Sequence, residues 1–213
     1  MEEMFPRKLP PVYKRNEKDC YLDPIRKKLI YITPEETIRQ RVLSYLTDTL
    51  HVPIQEIILE QHLSHYGIKS KKRADIIIHA RDAEGVSVPI AVIECKAPNM
   101  YLDMNAQEQM FEYCDLTGAD YAMLTNGVEQ YCFRYDSTKN GYVRLTELPD
   151  YKDMLSDKYE KWDIGEFPPR IPFNQLESYL KEDFSQREED DYGSGVSKLT
   201  PISQAVPIFN LWE

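Results

Sequence analysis

The segment RADIIIHARDAEGVSVPIAVIECKAP, Arg73 to Pro98, sets Asp75, Glu94 and Lys96 among isoleucines and valines. An unpaired carboxylate is costly to bury, so acids among strand formers need a partner, a metal or exposure. A hairpin turn between Glu84 and Gly85 would bring Asp75 opposite Glu94. Directly opposed residues on antiparallel strands have Cβ atoms about 5 Å apart on one face, and Lys96 shares that face because side chains alternate with period two. Two carboxylates and an ammonium then converge. Like charges at that distance repel, so the pair calls for a cation besides the lysine. Hard oxygen donors without Cys or His select Mg²⁺ or Mn²⁺, which keep several waters for substrate oxygens to replace. Such an ion polarises a phosphodiester and lowers the pKa of an attacking water, while Lys96 orients that water or offsets charge on phosphorus. An exposed Glu–Lys pair on an edge strand is commonly just solvated. What distinguishes this one is that both acids lie in runs reading as central strands, directly after the basic run KSKKR, Lys69 to Arg73.

The elements that must position these groups are legible in the same way. Met1 to Leu22, polar and with two prolines in LPP, reads as an irregular arm, and Lys27 to Ile32 as a short strand. Thr33-Pro34-Glu35-Glu36 is a helix start, with Thr33 as N-cap, Pro34 in the first turn and Glu36 closing a capping box. The helix runs to about Leu50, and its wheel aligns Glu35 with Ile38, Val42 and Leu46 on the packed face, leaving Glu36 at the rim. Strands follow at Ile54–Leu63, Ala74–Ala80 and Pro89–Lys96, then a helix from about Asn105 to Thr117, a strand at Tyr121–Gly127 and a hairpin of Gln130–Asp136 with Tyr142–Leu148. Strands, helices and strands in this order predict an α/β (α+β) protein with a mixed central sheet flanked by helices, its core ordered αβββαβ.

Composition bounds the function. A net charge of −10 over 213 residues argues against a general nucleic-acid coat but leaves room for a local basic groove, and basic residues do cluster at Lys69–Arg73, at Arg26–Lys28 and between Arg7 and Arg15. Four cysteines with no C-x-x-C pairing and no signal peptide point to free thiols in a reducing, cytoplasmic compartment. No apolar run is long enough to span a bilayer, so no membrane partner is expected. His62 and His65 could face a metal together but lack a third N or S ligand nearby.

Asp75 and the strand ending Glu94-Cys95-Lys96, between an upstream helix and a downstream helix-strand, resemble the PD-(D/E)XK nuclease core. More closely, IRKKLIYITPEETIRQRVLSYL, KKRADIIIHARD, VIECKAP, QMFEY and YAMLTNG together resemble the N-terminal nuclease domain of type I restriction enzyme R proteins, over roughly residues 23–151. That resemblance implies Mg²⁺- or Mn²⁺-dependent hydrolysis of DNA in restriction or defence, with RNA left open. It implies that Asp75 and Glu94 are metal ligands and Lys96 the catalytic lysine, and that Glu35 is a further metal-binding acid brought by the first helix. It further implies that Gln109 and Tyr113, a Q-x-x-x-Y pair on one helix face, support the site or contact nucleic acid. Arg39 pairs with one of the acids, Glu60 is an outlying candidate, and Lys71, Lys72 and Arg73 are candidate nucleic-acid contacts. Ala74 replaces the family's usual proline, and no G-x-x-x-x-G-K-[ST] loop of a helicase motor occurs in the sequence. The chain is expected to be a stand-alone nuclease-fold protein or a fragment of a larger system. The competing expectation is a catalytically inactive binding or assembly module of the same fold. Beyond the nuclease-like region, residues 152–184 read as a helical extension. Residues 185–213 read as an acidic Gly/Ser-rich linker with an apolar tail that could dock on a partner protein or a second copy.

Overall fold

A computed structural model describes residues 5–6, 8–67 and 72–163. Lys71 and most of its basic run, the remainder of the expected helical extension and the acidic tail lie outside the described residues.

Among the described residues there are two sheets. The smaller has the order β1 (Val12–Arg15), β2 (Lys18–Leu22), β3 (Leu29–Tyr31), antiparallel throughout. Of the expected irregular arm, residues 12–22 instead form a β-hairpin. Its strands are short, and β1 is exposed at every position, so it carries no buried alternation to read.

Helix α1 (Pro34–Asp48) follows, with Thr33 accepting the Glu36 backbone N–H at its N-terminus. The expected strand from Ile54 opens as a 3₁₀ turn, Ile54–Glu56, and the strand β4 itself covers Ile57–His62. It begins a six-stranded mixed sheet, continued by β5 (Arg73–Arg81), β6 (Ser87–Cys95), β7 (Tyr121–Thr125), β8 (Gln130–Asp136) and β9 (Gly141–Leu145) in that order. Only β6 and β7 pair in parallel, joined by the crossover helix α2 (Met104–Thr117). A short helix α3 (Tyr151–Leu155) closes the described region, followed by a bridge between Leu145 and Lys161. The order α1, β4, β5, β6, α2, β7 is the expected αβββαβ core.

Each face of the sheet has its own core. On one, Ile38, Val42 and Leu46 of α1 pack against Ile76, Ile78, Ile93 and Met123. On the other, Ala106, Met110, Tyr113 and Cys114 of α2 pack against Ile77, Val92, Ala122 and Leu124. Buried on both sides, β5, β6 and β7 are central strands, which is why apolar runs such as Ile76-Ile77-Ile78 replace simple alternation there. All four cysteines are free and buried. Among the described residues no helix is long and apolar enough to cross a membrane.

Candidate active site

The register of the β5–β6 hairpin decides whether the acids meet. Near the turn Arg81 pairs with Ser87 and His79 with Pro89; after a bulge between Ile78 and His79, Ile78 pairs with Ala91 and Ile76 with Ile93. The next position toward the site sets Asp75 beside Glu94. The turn is displaced by one residue from the Glu84–Gly85 position, and the bulge, which leaves Ile90 as the extra residue on β6, restores the register.

Asp75 is held from both sides of the strand. Its Oδ2 accepts the Cys95 backbone N–H at 2.8 Å, and its Oδ1 accepts from Arg39 Nη2 at 2.7 Å. Glu94, almost fully buried, accepts through Oε1 from Lys96 Nζ at 2.9 Å and from Gln109 Nε2 at 3.2 Å, while its Oε2 is buried without a partner. Gln109 also donates to the Tyr113 hydroxyl at 2.7 Å, so the helix pair and the strand pair form one cluster.

Arg39 engages three acids: Asp75, Glu36 and Glu35, the last at 3.0 Å. The positions of Glu35 and Glu36 are the reverse of the wheel expectation. Glu35 is half-exposed at the edge of the site, and Glu36 is buried, gripped by Arg26, Arg39 and Gln40 rather than folded back on the helix terminus as a capping box. The wheel treats a carboxylate as a surface group; here two guanidinium groups, one of them from outside the helix, make its burial tolerable.

Those partners are not evident from the sequence. Asp23, with no exposed surface, accepts from the backbone N–H groups of Ile25 and Arg26, from the Arg26 side chain and from Gln40 Nε2 at 2.6 Å. Arg26 in turn reaches Glu36 and Glu60, the latter at 2.6 Å. The Asp23-Pro24 dipeptide is the one local sign, since Asp before Pro favours a turn. Glu60 interrupts the β4–β5 ladder: Leu59 and Gln61 pair with Ile76 and Ala74, and Glu60 between them takes a left-handed backbone, φ 49°. That conformation is costly for a residue with a side chain and is sustained by its surroundings.

Lys72 and Arg73 stand at the edge of the cluster, Lys72 lining one hollow with Gln109 and Tyr113 and Arg73 acting on the Glu60 carboxylate. Lys72 is exposed and paired with Glu112 at 2.6 Å, and Arg73 is exposed at the start of β5. His62 and His65 are exposed as well.

A family model for the type I restriction enzyme R protein N terminus matches residues 34–149, more than half of the chain. The chain belongs to this family. In this R-protein N-terminal chain the match begins at α1 and ends just after β9, so it contains every residue of the cluster except Asp23 and Arg26. Among solved structures, a fragment assigned to the HsdR subunit of a type I restriction enzyme from Vibrio vulnificus YJ016 is 20% identical. It covers 75% of this chain and 27% of its own, with a TM-score of 0.39. The chain therefore spans about a quarter of the length of that one. No curated protein matches the chain.

Electrostatics single out Glu94. Burial first, and then the neighbouring Asp75 charge, push the Glu94 carboxyl up to about 7, against the lowering by Lys96. For Lys96, burial works against the ammonium, but the Glu94 carboxylate outweighs it and the amine stays protonated at neutral pH. Arg39 behaves alike: burial opposes its charge, and Asp75 and Glu36 more than restore it.

The donor set can be tested against a divalent ion. Among the described residues no three His, Cys, Asp or Glu side chains converge as protein ligands for a metal, which argues against a closed zinc-type cage. Mg²⁺ needs less, one or two carboxylates with water completing the shell. Glu94, with an orphaned oxygen and a negative charge crowded by that of Asp75, fits that role.

Proposed function

We propose that the chain is the nuclease module of a restriction system, of PD-(D/E)XK type, hydrolysing phosphodiester bonds in DNA with Mg²⁺ or Mn²⁺. The single observation that carries this reading is the unpartnered Oε2 of buried Glu94 next to Asp75. An ion shared by Asp75 and Glu94 would supply the Lewis acidity that polarises the phosphate and activates water. The remaining work falls to the chain. Cys95 N–H and Arg39 hold the Asp75 carboxylate in one orientation, and Gln109 and Lys96 hold Glu94. Lys96, already protonated, orients the water and offsets negative charge on the transition state rather than accepting a proton. Glu35, half-exposed at the rim, is a further acid within electrostatic reach of Glu94 and Lys96.

A second reading has an observation of its own. Both oxygens of Asp75 are already engaged by protein donors, as they would be in a module that keeps the fold for assembly with other subunits and has no chemistry. Purified protein incubated with supercoiled plasmid and Mg²⁺ or Mn²⁺, beside Lys96→Ala, separates the two. Nicking by the parent and not by the variant supports the nuclease. Equal nicking by both overturns the role of Lys96, and no nicking together with no metal binding favours the assembly module.

A further inference from the structure

The register of the small sheet assembles a surface that the catalytic cluster does not use. Tyr13 pairs with Cys20 and Cys20 with Tyr31, so the three form a cross-strand row. Arg15 and Lys18 pair in a row on the same face, two residues along each strand. Both cations lie over the Tyr31 ring, Arg15 at 5.6 Å and Lys18 at 5.9 Å from its centroid. Cys20 between the tyrosines is fully buried, yet the tyrosines themselves remain 48% and 39% exposed. Covering the thiol therefore accounts for only part of each ring. The charge is equally local: apart from the buried Asp23–Arg26 pair, Val12 to Tyr31 carries five basic residues against two acidic ones, in a chain of net charge −10.

We propose that this face, formed by Tyr13, Arg15, Lys18 and Tyr31, binds a single-stranded nucleic acid, its bases stacked on the tyrosine rings and its phosphates held by the two cations. Rings presented beside positive charge are the elements of single-strand platforms, because any unpaired base offers a π-face. A duplex does not fit, since stacking within the helix covers the faces of its bases and leaves none to lie on the tyrosine rings. Tyr31 lies four residues before Glu35, so a strand on this face is within about 14 Å of chain reach from the rim of the candidate active site. The inference rests on the nuclease reading only for the purpose of the strand, and its test does not require cleavage.

Labelled oligo-dT and oligo-rU, each about ten nucleotides long to suit a small platform, are titrated with the full chain in EDTA by fluorescence anisotropy at several salt concentrations. The parent should bind at least one of the two. Tyr13→Ala/Tyr31→Ala should bind at least about tenfold more weakly, and Tyr13→Phe/Tyr31→Phe should retain affinity because the rings remain. Arg15→Ala/Lys18→Ala should flatten the slope of log affinity against log salt by about 1.4, roughly 0.7 for each phosphate no longer neutralised. Circular dichroism establishes that each variant is folded, and the dT and rU arms decide whether the strand is DNA or RNA. The proposal is overturned if the parent binds neither oligonucleotide, if the folded alanine pair binds as the parent does, or if duplex competes equally with single strand. Because no metal is present, failure of plasmid cleavage leaves this result untouched, and loss of strand binding leaves the Asp75–Glu94 reading untouched.

Discussion

Arg39 on α1 donates to Asp75 on β5 at 2.7 Å while its other terminal nitrogen holds the buried Glu36, so one guanidinium ties the helix to the acid of the central sheet. Removing it leaves Asp75 with no guanidinium partner and Glu36 with Arg26 as its remaining one. Arg39→Ala should lower the unfolding free energy in urea by about 3–5 kcal/mol, the usual cost of stripping one partner from a buried pair. Adding Asp75→Asn should recover part of that loss; strictly additive effects would show that the two residues are not coupled.

Asp23 should govern acid sensitivity. Burial raises its carboxyl, but hydrogen bonds from Arg26 and Gln40 outweigh this and hold it below the ordinary value of 3.8. A depressed folded pKa contributes stability above the unfolded value that disappears as pH falls through the folded one. Asp23→Asn should therefore melt well below the parent at pH 7, and the gap should narrow below about pH 4. A gap independent of pH would rule this out.

Glu94 should make metal binding depend on pH in the opposite region. With its carboxyl at about 7, protons and cation compete for it below neutrality. Mg²⁺ affinity by calorimetry should fall about tenfold per pH unit below 7 and level off above. In metal-free protein a raised folded pKa contributes stability that is complete below the unfolded value of 4.5 and lost as pH rises through about 7. Added Mg²⁺ should accordingly raise the melting temperature more at pH 8 than at pH 6.

The αβββαβ order, both long helices and the meeting of Asp75 with Glu94 were legible because each rests on local chemistry: Thr33 and Pro34 start α1, and apolar runs mark β5, β6 and β7. The register came out right through two offsetting features, a turn displaced by one residue and a bulge beside Ile78. The buried state of Glu36 was illegible because its partner Arg26 stands in a turn outside the helix, and no periodicity links the two. The hairpin of β1 and β2 was missed for want of a buried face on β1.

Gln109 offers a way to separate support of the site from support of the fold. It bonds both Glu94 and Tyr113, at 3.2 and 2.7 Å. Tyr113→Phe keeps the packed ring and removes only the hydroxyl, so it should cost about 0.5–1.5 kcal/mol in denaturant. Gln109→Ala should reduce the cleavage rate more than it reduces stability; parallel losses would make the glutamine structural only.

The claim on which the others depend is that Asp75 and Glu94 grip one cation together, and Mn²⁺ binding followed by electron paramagnetic resonance tests it most directly. One bound ion per chain is expected in the parent and in Lys96→Ala, and none in either folded Asp75→Asn or Glu94→Gln. Binding unchanged in both carboxylate variants, or no binding by the parent, would contradict it.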